Sequence, residues 1–96
     1  IVLESSPPSG AVLAQPPAEI TLRFNSKIEK RFTRLTLSTG NQPPAPVTAR
    51  SDDPGTPDRL VIPIRSLAPG EYTLRYRVLA VDGHITEGAL RFTVEP

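Results

Sequence analysis

Twelve prolines are spread along 96 residues, and that spread decides most of what this chain can become. Proline breaks a helix interior because it lacks a donor and clashes with the preceding turn. The spacing leaves no room for long helices and cuts the chain into short runs. Those runs alternate. Within 18–24, Ile20, Leu22 and Phe24 face one way, and Thr21 and Arg23 the other. Leu60, Ile62 and Ile64 form a second inward set, and Tyr72, Leu74, Tyr76 and Val78 a third. Leu90, Phe92 and Val94 form a fourth, against Arg91 and Thr93. Period 2 with one polar face marks a half-buried antiparallel strand.

Weaker strands are predicted at Val2–Ser5, at Arg34–Thr39 and around Val47–Arg50. Turns fall at Pro7-Pro8-Ser9-Gly10, Ser38-Thr39-Gly40-Asn41 and Ala68-Pro69-Gly70. Asp52 and Asp53 read as solvated residues of a longer polar loop that runs to Asp58. Pro63 sits inside a run, which predicts an edge strand. Short strands with frequent turns predict an all-β Greek-key β-sandwich, Ig-like or cupredoxin-like, with about seven strands. No repeat or linker divides the chain, so residues 1–96 read as one domain.

Net charge is +1, which argues against a nucleic-acid partner, since that needs a clustered basic surface. No apolar run approaches the roughly 20 residues of a membrane helix, so no direct membrane insertion is expected. Cysteine and methionine are both absent, which removes thiolate and thioether chemistry. A chain that opens Ile1-Val2-Leu3 has lost its initiator region, and removal of a signal peptide is one route to that.

The stretch Lys27–Arg34 (KIEKRFTR) is the one candidate helical turn. Its cations could dock an anionic partner. The expected reading is a solvated connection with Ile28 and Phe32 packed beneath it at i, i+4 spacing.

Chemistry concentrates at the single histidine, His84, within Val81-Asp82-Gly83-His84-Ile85-Thr86-Glu87-Gly88. Residues i and i+2 of an extended segment project to one side, and Gly83 lets the backbone bend so that Asp82 and His84 converge. A carboxylate beside an imidazole is half a metal site, suited to divalent copper, nickel or zinc. Asp-Gly is equally a turn dipeptide, so the bare residues leave both readings open. No serine sits in a nucleophile elbow, and there is no phosphate loop or zinc spacing.

The motifs along the chain resemble the CopC-like periplasmic copper-resistance proteins. Ser5-Ser6-Pro7-Pro8-Ser9-Gly10 resembles their SxPxxG opening, and Ile20–Asn25 their next strand. Leu67–Val78 is similar to their L-x-x-G-x-Y strand, Asp82-Gly83-His84 to their DGH loop, and Leu90–Val94 to their closing strand. The likeness is weakest between Gly40 and Arg59. It implies a periplasmic copper(II)-binding carrier or buffer for copper homeostasis and resistance, monomeric and not an enzyme. A membrane copper-transport protein is implied as its recipient.

The implied ligands are Asp82, His84 and an N-terminal histidine. Ile1 falls just after the point where family members start, so that histidine is expected upstream of Ile1. Some members carry a methionine-rich loop for copper(I); this chain has none, which implies copper(II) alone. Ser26 stands where some members place a glutamate, removing that extra ligand. An imidazole binds metal only when neutral and ordinarily titrates near ~6.5, so copper affinity is expected to fall in acid. Thr86 and Glu87 are candidate partners for the imidazole's other nitrogen. The alternatives are a metal-free Ig-like adhesion or accessory domain and, further off, a copper-dependent oxidase.

Overall fold

Alternation along the chain becomes register between strands. The computed structural model describes residues 2–40, 42–50, 57–65 and 67–96. Its strands are β1 (Val2–Ser6), β2 (Ala11–Leu13), β3 (Glu19–Phe24), β4 (Arg34–Thr39), β5 (Ala45–Val47), β6 (Arg59–Pro63), β7 (Gly70–Leu79) and β8 (Ile85–Val94). Three strands form one sheet in the order β1-β3-β6, and five form the other in the order β2-β8-β7-β4-β5. The chain crosses between the sheets five times, after β1, β2, β3, β5 and β6. As a result β3 pairs with β6 while β4 pairs with β7, the interlocked pairing of a Greek-key sandwich.

The four inward sets meet between the sheets. Ile20, Leu22, Phe24, Leu60, Ile62, Leu74, Val78, Leu90, Phe92 and Val94 are all buried. Each fully buried aliphatic or aromatic side chain contributes about 1.5–3 kcal/mol relative to exposure. Among the described residues no polar or charged side chain is buried, so the interior carries no desolvation cost for charge.

Several local expectations change. The strand expected around Val47–Arg50 lies earlier, at Ala45–Val47. An eighth strand, β2, pairs in parallel with the end of β8, Ala11 opposite Phe92 and Leu13 opposite Val94. Three residues are too few to show a period, which is why the sequence did not reveal it. Val61 is buried although its neighbours in β6 point the other way. Pro63 does lie on an edge strand. Asp52 and Asp53 lie outside the described residues.

The Lys27–Arg34 stretch holds a single 3-10 turn, Lys30–Phe32. Ile28 is buried beneath it, but Phe32 is 55% exposed. The i, i+4 packing fails because Lys27–Glu29 is extended rather than helical. Ile28 forms a bridge with Ala80, and the Glu29 amide donates to the Leu79 carbonyl at 2.8 Å. That extended geometry turns Phe32 outward.

Candidate metal-binding loop

The β7–β8 hairpin is the longest ladder in the molecule, running from Gly70 opposite Val94 to Leu79 opposite Ile85. Its connection is Ala80-Val81-Asp82-Gly83-His84. The Gly83 amide donates to the Ala80 carbonyl at 2.9 Å, and the Ala80 amide to the His84 carbonyl at 2.8 Å. Gly83 closes the turn at φ +93°, a conformation that side chains with a Cβ resist. This is the economy of a short hairpin loop ending in a left-handed glycine.

That turn brings Asp82 and His84 together. One carboxylate oxygen, Oδ1, accepts the His84 backbone amide at 3.0 Å. The other, Oδ2, lies 2.9 Å from His84 Nδ1. The backbone bond from His84, then its side chain, holds the Asp82 carboxyl below the usual carboxylate range. The pair is exposed, with 84% of the His84 side chain open to solvent. At 2.9 Å this contact is a hydrogen bond, and it sets one carboxylate and one imidazole side by side on the turn. Neither Thr86 nor Glu87 bonds the imidazole, and Glu87 pairs instead with Arg77 at 3.3 Å. The register explains it, since Glu87 lies directly opposite Arg77.

Among the described residues, no group of three or more His, Cys, Asp or Glu could hold an ion. The backbone brings another segment to this end. Val81 donates to the Lys27 carbonyl at 3.0 Å. Phe24, three residues before Lys27 and so at most about 10 Å away along the chain, lies opposite Val2. The start of β1 and the Asp82–His84 turn therefore share one end of the sandwich, with Ser26 between them. Sequence reasoning missed a neighbour of this loop, the exposed apolar pair Phe32 and Ile85. Parity could have found Ile85, which falls on the polar face of its strand with Glu87 and Arg91.

Comparison with known proteins supports the same frame. Protein YobA of Escherichia coli (strain K12) is 29% identical over 90 residues, covering 93% of this chain and 73% of that protein. The crystal structure of CopC from Methylosinus trichosporium OB3b superposes with a TM-score of 0.92 at 29% identity, covering 100% of this chain and 93% of that one. PcoC, a methionine rich copper resistance protein from Escherichia coli, superposes with a TM-score of 0.75 at 28% identity, covering 98% of this chain and 96% of that one. The family model described as the CopC domain matches residues 2–95, and this chain belongs to the CopC domain family.

Proposed function

We propose that residues 1–96 act as one domain that binds copper(II) through Asp82 and His84, as a periplasmic carrier or buffer and not as an enzyme. The observation that supports this most is the exposed carboxylate–imidazole pair, 2.9 Å apart on a glycine-closed turn. Two donors do not hold a cupric ion tightly. The remaining donors are assigned to a histidine upstream of Ile1, whose α-amine and imidazole would form a chelate ring. The shared position of β1 and the turn supports that assignment. Nitrogen and oxygen donors suit copper(II), and a chain without cysteine or methionine offers no soft donor for copper(I). In this the chain differs from its methionine rich relative. Release of the ion to a membrane copper-transport protein, from a monomeric carrier, completes the reading.

The test is a copper(II) titration followed by EPR. It compares the mature protein with its own first residue, the form beginning at Ile1, and His84→Ala. A tetragonal signal is expected in the first, altered or lost in the other two. An unchanged spectrum in His84→Ala would rule out the imidazole as a ligand. Identical spectra with and without the upstream residues would remove the chain terminus from the site.

Acid sharpens the test. Protons compete with copper for an imidazole donor, so affinity should fall on acidification from about pH 7.5 to about pH 5. Asp82 does not cause that fall. Its carboxyl is depressed in the folded protein, so its charge and its bonds to His84 persist through that window. They are lost only below the usual carboxylate range.

A further inference from the structure

The outer face of the five-stranded sheet is not uniformly polar. At the end that carries the Asp82–His84 turn, Phe32 and Ile85 are 55% and 53% exposed. With Leu79 they floor a depression of about 180 Å³ rimmed by Arg34 and Arg77. This is too small for a drug-sized ligand and of a size to seat one apolar side chain. It opens onto a wider basin of about 500 Å³ that Arg75 also lines. Arg34 lies directly opposite Arg77 across the ladder, a like-charge pairing that costs stability. Only Arg77 has a carboxylate, Glu87. Arg34 and Arg75 make no ion pair among the described residues. Arg31 lies over the Phe32 ring at 5.0 Å, a further cation beside this apolar side chain.

We propose that this face docks an acidic segment of a partner protein. An aliphatic or aromatic side chain of that segment enters the depression, and carboxylates on either side of it meet Arg34 and Arg75. Charge complementarity selects the occupant. A second copy of this chain would have to set Arg34, Arg75 and Arg77 against themselves in a two-fold contact, and a free inorganic anion would leave the apolar floor uncovered. Ile85 follows His84 directly, so a docked segment lies beside the candidate metal loop. The docking face shares no residue with the proposed ligand pair and does not depend on it.

The test uses metal-free protein and a synthetic peptide with one leucine flanked on both sides by glutamates, followed by amide chemical shifts. Saturable shifts are expected at Phe32, Arg34, Arg77, Leu79 and Ile85. Raising the salt from about 20 mM to about 200 mM should weaken the binding. Phe32→Ser, Arg34→Glu and a peptide with glutamines for glutamates should each weaken it at least about tenfold. Circular dichroism checks that the variants fold. Four results would overturn the proposal: no shifts up to millimolar peptide; equal shifts with the glutamine peptide; self-association through these residues in sedimentation; or anionic phosphatidylserine vesicles that bind through this face while the peptide does not. Phe32→Ser should keep the copper EPR signal and His84→Ala should keep peptide docking, so each reading can fail without the other.

Discussion

The two ends of the β7–β8 hairpin are built from similar residues and used in opposite ways. At the end near Gly70, Tyr72 and Phe92 stack at 5.5 Å with an interplanar angle of 15°, and the Tyr72 hydroxyl donates to the Ala68 carbonyl at 2.6 Å. β2 covers the neighbouring edge through the Gly10 amide to Arg91 and the Glu95 amide to Leu13. At the other end the apolar side chains of Val81 and Ile85 face water, and so do Asp82 and His84. One end spends its large side chains on packing. The other leaves them available for contact. A single ladder thus joins a stabilising terminus to a working one, and substitutions should separate the two.

The largest effect belongs between the ends. Leu74 is fully buried at the middle of β7, and Leu74→Ala should cost about 2–5 kcal/mol of unfolding free energy. Chemical denaturation measures this. An effect on copper binding at temperatures where the variant stays folded would break the separation.

Next comes the boundary of the working end. Gly88 lies opposite Tyr76 in the ladder, and the phenol ring lies across the glycine so that an added Cβ would sit 2.6 Å from Cζ. Burial of this ring also raises the phenol's pKa. Gly88→Ala should destabilise by about 1–3 kcal/mol through overpacking, and most of that penalty should vanish when Tyr76 is shortened to leucine. A full penalty in the double variant would place the strain in the backbone instead.

The smallest effect tests the working end itself. Phe32→Ser should change stability by less than about 0.5 kcal/mol, as expected for an exposed side chain. A loss of several times that would make Phe32 a packing residue and erase the contrast.

The sequence made the strong strands legible because each has one polar and one apolar face, as in Tyr72–Val78. Parity alone carried the core assignment. The Asp82–His84 convergence was legible too, since a glycine between two functional residues implies a bend. What parity could not carry was pairing between distant segments. β2 is too short to show alternation, and its parallel partner lies at the far end of the chain. The i, i+4 spacing of Ile28 and Phe32 presumes a helix, whereas the Ile28–Ala80 bridge keeps that segment extended. Thr86 and Glu87 are the polar side chains next downstream of the imidazole, but sequence alone cannot show that register commits Glu87 to Arg77.

Both sheets end in a strand that contains proline, Pro46 in β5 and Pro63 in β6. Each withdraws one amide from a rim where a neighbouring molecule could otherwise zip on. Crowded copies of this protein would thus meet two interrupted borders among the four edges of the sheets, the other two being β1 and the three-residue β2. That favours staying dispersed over growing into fibres, and it leaves the exposed turn free to meet other molecules.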